Sequence, residues 1–423
     1  MKVLLINKTD SGGGAAVAAN RLNHALRSQG IDASLLVQDA SSHEEGVFPV
    51  GKGYLYRQKA FARFAWERLC FLSHEKNASV RFAFSPANTG MDISQHPMVQ
   101  EADVIHLHWI NQGFLSLDTL KQLFSLGKPV VWTQHDMWSF TGGCHYAGTC
   151  LEFLEFCSYC PFLKKPAKKD LSAQVFAKKR KLYNAAPLHI VTCSKWLRTQ
   201  SQDSKLLRNK PFYNIPNPID TSFYKPLNKL EVRDKLGLPK DKKLILFGAA
   251  NVNDPRKGMR YFMEALTTLS ENFPVVKENT ELVVFGKMNK ESAKQFPFKT
   301  HSLSFVSDPQ TIVDLYNAAD IYALPSLQDN LPNTVMEAMA CGTPVVGFSI
   351  GGVPEMITHQ ESGYLAEVKN SLSLATGIYE TLFLSDLDKM SKNARKKTLE
   401  CYTEEIVAAQ YLEVYQKALN QHE

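Results

Sequence analysis

The stretch from Ala319 to Glu355 reads ADIYALPSLQDNLPNTVMEAMACGTPVVGFSIGGVPE, and it indicates the fold more clearly than any other part of the chain. Ile321 to Leu324 is a short apolar run, typical of a buried parallel strand. A polar loop follows, and Pro332 and Asn333 then begin a helix that is predicted to run to Ala340. Val345 to Phe348 is the next apolar run. Strand, loop, helix and strand in this order predict an α/β fold with a parallel sheet.

Two acidic residues of this stretch, Asp329 in the loop and Glu337 on the helix, are eight positions apart. That spacing lets both carboxylates face one crevice. The helix start at Asn333 and Thr334 presents backbone N–H groups at the carboxyl end of a strand, and such groups bind phosphate. The stretch therefore predicts a phosphate-bearing ligand. Two acids at this spacing, taken alone, would equally suit a solvated helix.

The whole run, with its AMACGTPVV and GGVPE segments, resembles the donor-binding segment of the retaining glycosyltransferases of family 4. The resemblance implies that Asp329 contacts the transferred sugar and that Glu337 contacts the nucleotide ribose. The family has glutamate at the first position, so Asp329 keeps the charge but has a reach shorter by one methylene. Further donor contacts are implied for the loop and the helix start, namely Asn330, Leu331, Asn333 and Thr334.

The resemblance also implies the GT-B fold, with two Rossmann-like, doubly wound domains that face each other across a cleft. The length of 423 residues independently favours two domains. We predict an acceptor-side domain over residues 1–212, a nucleotide-sugar-binding domain over 213–400, and a C-terminal helix over 401–423 that crosses back to the first domain. Two prolines, Pro216 and Pro218, stiffen the connection between the domains.

The composition is that of a globular protein, with 44% hydrophobic and 21% charged residues. No apolar run approaches the ~20 residues of a membrane helix. The start of the chain has too short an apolar run for a signal peptide, so a cytoplasmic location is expected. The net charge of +6 permits contact with an anionic surface without requiring nucleic acid.

A second loop of the donor-side domain carries Arg256, Lys257 and Gly258 after a strand that begins at Lys243. Lys257-Gly258 matches the lysine of the family's G-R-x4-K-G pattern, whose cations contact the donor diphosphate. No arginine follows Gly248, so either Arg256 replaces it or that contact is missing. Cations suit this place because the leaving diphosphate gains charge as the glycosidic bond breaks. We therefore expect no catalytic metal.

A glycine loop follows the first strand of the chain, before a helix predicted from Ala15 to Ser28. Glycines let a ligand approach the backbone closely, although a flexible turn would have the same composition. In the family the matching loop lies over the donor phosphates and the acceptor, which implies this role for Gly13 and Gly14.

Histidines lie at or near the ends of two predicted strands of the first domain. His106 and His108 alternate along one strand, and His135 follows the next. The resemblance implies that His135 contacts the donor sugar. For His106 and His108, hydrogen bonding within the fold is the alternative to a ligand role. A metal pair is less favoured, because no third ligand is evident.

Four cysteines, Cys144, Cys150, Cys157 and Cys160, are spaced C-x5-C-x6-C-x2-C. Four thiols in a loop predict a structural tetrahedral zinc. Reduced thiols without metal, or fewer thiols together with His145, are the alternatives. A branch of family 4 carries the same H-D-M-W…T-G-G-C-H-Y…C…C-x-x-C-P run, so the resemblance extends to residue 161.

Two basic clusters follow, one with Lys164, Lys165, Lys168 and Lys169, and one that spans Lys178 to Lys181. They are interpreted either as an ordinary solvated face or as a docking face for the anionic inner leaflet of a membrane. Nucleic acid fits less well, because stacking aromatics do not accompany the charges. The helical spacing from Arg57 to Leu72 carries the aromatics Phe61, Phe64, Trp66 and Phe71, which are interpreted as core residues, with an acceptor-facing groove as the alternative.

The predicted function is transfer of a hexose-type residue, with retention, from a nucleoside diphosphate sugar to a hydroxyl of a saccharide or lipid-linked acceptor. Surface polysaccharide or lipopolysaccharide synthesis is the family-level expectation. The alternatives are a nucleotide-sugar epimerase or phosphorylase of the same fold, and a non-catalytic anion-binding module. A non-catalytic anion-binding module would not explain why the chain carries a donor-binding segment.

Overall fold

The chain is divided into two compact units, each with its own parallel sheet. The computed structural model describes residues 1–421 except His43, 252–253, 288–294, 304–305 and 307. The first unit comprises Met1–Pro218 and Glu404–Glu423, and the second comprises Ile219–Thr403. The predicted boundaries, after residues 212 and 400, lie a few residues before the observed ones.

The described part of the first unit contains a seven-stranded parallel sheet in the order β3-β2-β1-β4-β5-β6-β7. Its strands are β1 (Lys2–Thr9), β2 (Asp32–Asp39), β3 (Val47–Pro49), β4 (Val104–Leu107), β5 (Val130–Gln134), β6 (Leu188–Thr192) and β7 (Phe212–Asn214). Its helices before the second unit are α1 (Gly14–Ser28), α2 (Tyr54–Leu72), α3 (Pro97–Glu101), α4 (Leu117–Phe124), α5 (Leu171–Asn184) and α6 (Lys195–Asp203).

The second unit has a six-stranded parallel sheet within its described residues, in the order β10-β9-β8-β11-β12-β13. Its strands are β8 (Lys243–Asn251), β9 (Thr280–Lys287), β10 (Thr300–Leu303), β11 (Ile321–Leu324), β12 (Val345–Phe348) and β13 (Gly363–Ala366). Its helices are α7 (Lys229–Lys235), α8 (Met259–Asn272), α9 (Pro274–Asn279), α10 (Pro309–Ala318), α11 (Asn333–Ala340), α12 (Val353–Met356), α13 (Ser371–Tyr379) and α14 (Leu387–Cys401). These two parallel sheets confirm the predicted α/β class.

The last helix, α15 (Glu404–Asn420), follows the second unit in sequence but packs in the first. It lies against α1, β4 and β5. Tyr411 and Tyr415 on its inner face are at most 2% exposed. The sheet core of the first unit is therefore completed by a segment that is about 190 residues distant in sequence from Pro218.

Each sheet reverses its strand order at one place, between β1 and β4 in the first unit and between β8 and β11 in the second. Ligands of open α/β sheets bind at such a place, outside the carboxyl ends of the strands. In the second unit this brings the loop after β8 beside the loop after β11. These are the loops that carry Lys257 and Asp329.

Two predictions about side-chain burial are wrong. On α2, Phe71 is fully buried, but Phe61 and Trp66 are 64% and 58% exposed, because only one side of the helix packs against the rest of the unit. Lys179 of the second basic cluster is buried, because it lies on the inner side of α5. The other lysines of both clusters are exposed.

The predicted strand at residues 304–306 falls mostly outside the described residues, and β10 lies directly before it. None of the helices in the described part of the chain combines the length and the apolar character needed to cross a membrane.

Candidate functional site

The loops after β8 and β11 of the second unit are packed backbone against backbone. Gly258 has a φ of +68°, and a Cβ at this position would lie 1.8 Å from the carbonyl oxygen of Pro325. The Leu327 N–H donates a hydrogen bond of 2.7 Å to the carbonyl oxygen of Arg256. Only glycine allows this approach, which explains the glycine after the predicted diphosphate lysine.

An ion pair joins the two loops. The Lys257 Nζ lies 2.8 Å from Asp329 Oδ2, and the two side chains are 31% and 17% exposed. Two predicted donor contacts are thus brought together at the ends of β8 and β11. Arg256 is held differently, since its guanidinium is bonded to Asp254 of its own loop at 2.7 Å.

A third loop, after β12, fixes the backbone of Asp329. Gly351 has a φ of +51°, and a Cβ there would lie 1.8 Å from the Asp329 carbonyl oxygen. The N–H of Gly352 donates a hydrogen bond of 2.8 Å to the Asn330 carbonyl. The GGVPE segment therefore positions the predicted sugar-contacting loop, a role that its sequence did not reveal.

Helix α11 begins at Asn333 after Pro332, which has no capping side chain. Glu337, one turn further along, is 8% exposed and accepts a hydrogen bond of 3.1 Å from the Tyr316 hydroxyl. Burial, followed by the nearby Glu337 carboxylate, raises the pKa of Tyr316 well above its usual value. Tyr316 is therefore a neutral donor that orients the carboxylate. It was missed because nothing in the sequence of α10 pairs it with Glu337.

Tyr322 of β11 links β8 to the start of α11. Its hydroxyl donates a hydrogen bond of 3.0 Å to the Gly248 carbonyl and is also bonded to Thr334. Asp329 and Glu337 are both near enough to Tyr322 to act on its ionisation. The described residues thus gather Lys257, Asp329, Thr334 and Glu337 around the carboxyl ends of β8 and β11.

The glycine loop of the first unit has free space beside its backbone at Gly12 and Gly13. Gly12 has a φ of +83°, Gly13 is extended at the N-cap of α1, and Gly14 is the first helical residue. A Cβ at Gly12 or Gly13 would meet nothing within 4 Å. The backbone here can be approached closely, but packing within the unit does not require glycine at position 13.

His106 is hydrogen-bonded within the fold. Its Nδ1 lies 2.8 Å from the Tyr415 hydroxyl, and its Nε2 lies 2.8 Å from Thr133 Oγ1. Thr133 Oγ1 is in turn 2.8 Å from the Tyr411 hydroxyl. Hydrogen bonding within the fold, the alternative to a ligand role, is therefore correct for His106. The tyrosines of α15 in this network are some 300 residues away in sequence.

His108 and His135 form a pair, with 2.9 Å between His108 Nδ1 and His135 Nε2. His108 is almost fully buried, whereas His135 is half-buried. Burial lowers the pKa of His135 to about 4 and outweighs the opposite effect of the Asp136 carboxylate. At neutral pH His135 is an uncharged ring with one donor and one acceptor nitrogen.

Asp136, which follows His135, supports the fold around it. Its carboxylate accepts hydrogen bonds from the Trp109 indole at 2.9 Å and the Trp138 N–H at 2.8 Å, and it lies 2.7 Å from His145 Nδ1. Burial acts to raise the pKa of Asp136, but His145 and these donors outweigh it and lower the pKa. Asp136 thereby fixes the start of the cysteine loop beside β5.

The four loop cysteines, Cys144, Cys150, Cys157 and Cys160, line one small apolar cavity and are free thiols. Burial raises the pKa of Cys144 to about 12 and that of Cys160 to about 11, so both are protonated at neutral pH. Among the described residues, no group of three or more His, Cys, Asp or Glu side chains is arranged to hold a metal ion. The structural zinc stays a prediction from the spacing alone, and no reaction step depends on it.

Lys179 lies beside this cavity. Its Nζ donates to the carbonyl oxygens of Trp138 and Thr141, the latter at 3.0 Å, and lies 3.5 Å from the centroid of the Trp138 ring. Burial lowers its pKa to about 7. Lys179 therefore ties α5 to the cysteine loop and is not part of a docking face.

Lowering the pH from 6.5 to 5 is expected to destabilise the first unit through His106. Burial lowers its pKa to about 3, whereas the unfolded chain has a pKa near 6.5. Below pH 6.5 the unfolded state binds a proton that the native state does not, so this contribution is complete above pH 6.5 and is lost as the pH falls toward 3. The loss is about 1.4 kcal/mol per pH unit, or about 2 kcal/mol at pH 5.

Urea unfolding between pH 7 and pH 5, followed by tryptophan fluorescence, measures this effect. All five tryptophans lie in the first unit, so the signal reports that unit. His106→Gln should be less stable at pH 7 but should show a shallower pH dependence. The exposed His74→Gln is the control and should keep the parental slope. A parental slope in His106→Gln would contradict the assignment.

The comparisons with known proteins cover both units. Residues 12–223, half of the chain, match Glycosyltransferase Family 4. Residues 228–397 match Glycosyl transferases group 1. An uncharacterized glycosyltransferase of Methanocaldococcus jannaschii is 30% identical over 224 residues, a match that covers 50% of this chain and only 54% of that protein.

Two further matches extend over nearly the whole chain. The putative colanic acid biosynthesis glycosyl transferase WcaC of Escherichia coli K12 is 25% identical, over 98% of this chain and 100% of that protein. The crystal structure of Anabaena HepE in complex with UDP-glucose has a TM-score of 0.64 at 16% identity, and covers 99% of this chain and 100% of that one. At this identity the second match supports the fold alone, which is that of the GT-B glycosyltransferases.

Proposed function

Because the chain belongs to glycosyltransferase family 4, we propose that it transfers a hexose-type residue from a nucleoside diphosphate sugar to a hydroxyl group. The acceptor is a saccharide or a lipid-linked saccharide, and the anomeric configuration is retained. The observation that carries the proposal is the Lys257–Asp329 pair beside the start of α11, at the place where the strand order reverses. The name of the E. coli relative supports a role in polysaccharide synthesis.

Lys257 stabilises the leaving diphosphate in this proposal. The negative charge on that group grows as the glycosidic bond breaks, so a fixed cation stabilises the transition state more than the ground state. In the ligand-free chain Asp329 balances the charge of Lys257. When the donor binds, its phosphates replace Asp329 as the partner of Lys257. Asp329 then accepts hydrogen bonds from sugar hydroxyls. Arg256 contributes only if it leaves Asp254.

Glu337 binds the nucleotide ribose. A carboxylate accepts hydrogen bonds from two adjacent hydroxyls, and the Tyr316 hydroxyl orients this one. His135 contacts the transferred sugar through its uncharged ring, and Gly13 and Gly14 allow phosphate or acceptor near the backbone. The carboxylates do not act as a glycosidase pair, because hydrolysis would not need a cation beside a helix start.

The test is thermal stabilisation by a panel of UDP-, GDP-, ADP- and dTDP-sugars in the presence of a chelator. A ligand at about 100 times its Kd stabilises the native state by about 2.7 kcal/mol. We expect one nucleotide series to stabilise the protein without metal. Incubation of that donor with acceptor candidates separates transfer from the alternatives, since an epimerase would change the donor sugar unaided and a phosphorylase would require phosphate. Stabilisation by no donor would contradict the proposal.

Glu337→Gln is expected to weaken nucleotide-sugar binding about tenfold or more, because hydrogen bonds to a charged group contribute about 1.5–3 kcal/mol. Titration calorimetry with the stabilising donor measures the loss. Pyrophosphate has no ribose, so its affinity should not change, which separates a lost contact from a misfolded site. Glu361→Gln, at an exposed position of the same unit, is the matched control. Parental donor affinity in Glu337→Gln would make the ribose assignment wrong.

A further inference from the structure

Helix α2 has an apolar face that is turned to solvent. Six large apolar side chains of this helix are each 48–74% exposed, namely Tyr54, Leu55, Phe61, Trp66, Leu69 and Leu72. We refer to these six residues as the apolar stripe. Single apolar residues are common on protein surfaces, but six on one face of one helix mark an interaction site.

The geometry of the helix separates the apolar stripe from the core-facing side. At about 100° per residue, the six side chains fall within a sector about 140° wide. Of the four buried residues of α2, Ala60, Glu67 and Phe71 lie on the other side of the helix, and Arg68 lies beside one edge of the sector. Most of the apolar stripe therefore lies away from the core-facing side of α2.

Positive charge borders the apolar stripe on both sides. Arg57 and Lys59 are exposed, and by the same geometry one lies at each edge of the sector. Exposed Lys52 precedes the helix. Glu67, the one acidic residue of α2, is fully buried, pairs with Arg68 and accepts a hydrogen bond of 2.8 Å from the Gly113 N–H. The outer surface of α2 thus has cations and no carboxylate.

A further aromatic side chain extends this surface. Phe82 is 59% exposed, and its ring centroid lies 5.9 Å from the Arg68 guanidinium carbon, next to the second half of α2. Tyrosine, tryptophan and phenylalanine beside arginine and lysine are the residues that interfacial helices present to a bilayer. A second copy of the chain would bring the same cations together across the contact, which disfavours self-association.

We propose that α2 lies in the plane of an anionic bilayer surface, with the apolar stripe at the headgroup–acyl boundary and Arg57 and Lys59 at the lipid phosphates. This surface differs from the two lysine clusters predicted as the docking face. The inference goes beyond the proposed function, because it concerns a surface that binds lipid whether or not a donor is bound.

Vesicle flotation tests the proposal with phosphatidylcholine vesicles that do or do not contain phosphatidylglycerol. The parent chain should float with the anionic vesicles. Phe61→Ser/Leu69→Ser should reduce its partition coefficient about 100-fold, because each buried apolar side chain contributes about tenfold. Arg57→Gln/Lys59→Gln should reduce it about 25-fold on anionic vesicles and little on neutral ones, at about fivefold per cation.

The control pair Leu372→Ser/Leu384→Ser removes two leucines of the second unit that are 63% and 67% exposed. This pair should bind vesicles as the parent does. An unchanged melting temperature of Phe61→Ser/Leu69→Ser, whose positions are exposed, separates lost binding from lost folding. If the α2 and control pairs behave alike, or if the parent does not float, the proposal is overturned.

Trp66 gives a direct readout, since it is the one exposed tryptophan of the five. Its fluorescence should shift to the blue on anionic vesicles, and Trp66→Phe should abolish the shift while flotation persists. A shift caused by self-association would instead depend on protein concentration and would appear in sedimentation velocity without lipid. That result would assign the apolar stripe to a second copy and would overturn the membrane assignment.

Discussion

Replacing Lys257 with alanine is expected to lower kcat about 100- to 1000-fold, the typical cost of removing one group that stabilises developing charge. Lys257 is joined to Asp329 at 2.8 Å and is 31% exposed, so a phosphate can reach it. Without it, the charge of the leaving diphosphate would be stabilised by backbone N–H groups, by water and, once it leaves Asp254, by Arg256. Steady-state kinetics with the donor identified by thermal stabilisation measure the loss.

Lys235→Ala is the matched control for this prediction. Lys235 belongs to the same unit and pairs with Asp314 at 2.5 Å, but it lies on α7, away from the strand ends that carry Lys257 and Asp329. Asp314 is buried, so the replacement is expected to lower stability, but it should leave kcat within about twofold because Lys235 touches none of the predicted donor contacts. Near-parental kcat in Lys257→Ala would remove the lysine from the proposed chemistry.

Asp329→Asn distinguishes the proposed role of Asp329, which contacts the sugar, from that of Lys257, which stabilises the diphosphate. It removes the carboxylate that competes with phosphate for Lys257, so pyrophosphate affinity should be kept or increased while sugar transfer falls. Lys257→Ala should instead weaken pyrophosphate binding. If both variants weaken pyrophosphate binding equally, Asp329 supports the loop and does not contact the sugar.

Gly351→Ala is expected to disrupt the donor loop and to destabilise the second unit by about 2–5 kcal/mol. The added Cβ would lie 1.8 Å from the Asp329 carbonyl oxygen, and φ at this position is +51°. The carbonyl belongs to backbone, so it cannot move aside as a flexible side chain could. The loop must shift, and Asp329 then loses its position beside Lys257. Thermal denaturation and donor titration measure the two consequences.

Gly237→Ala shows how much of this effect comes from the backbone conformation alone. Gly237 lies in the same unit with a φ of +65°, and a Cβ there would meet nothing within 4 Å. Its replacement should cost about 1–2 kcal/mol and leave donor binding unchanged. Equal losses in the two variants would mean that the contact with Asp329 has no special importance.

The periodicity of the chain was enough to predict the α/β fold class and the unit from β11 to β12. The predicted strands Ile321–Leu324 and Val345–Phe348 have the observed bounds. The helix predicted to begin at Pro332 and Asn333 and to end at Ala340 runs from Asn333 to Ala340. Strand periodicity, helix starts and glycine stops are local properties, so they can be predicted without tertiary contacts. Lys257 and Asp329 were both selected from sequence patterns, although nothing predicted their contact.

Burial was the property that local patterns predicted badly. Phe61 and Phe71 are both phenylalanines of α2, yet one faces solvent and the other the core. Lys179 lies within a run of cations and is nevertheless the buried one. Which side of a helix packs against the rest of its unit depends on the path of the whole chain, and a pattern with two apolar faces does not encode it.

The amino-acid sequence therefore contained the element order, the loop positions and the residue types at the strand ends, because each depends on neighbours within a few positions. Packing alone decided that Gly351 supports Asp329, that Tyr316 orients Glu337, and that tyrosines of α15 hold His106 and Thr133. These contacts join residues 21 to 309 positions apart. They exist only because parallel strands bring distant loops to one edge of a sheet.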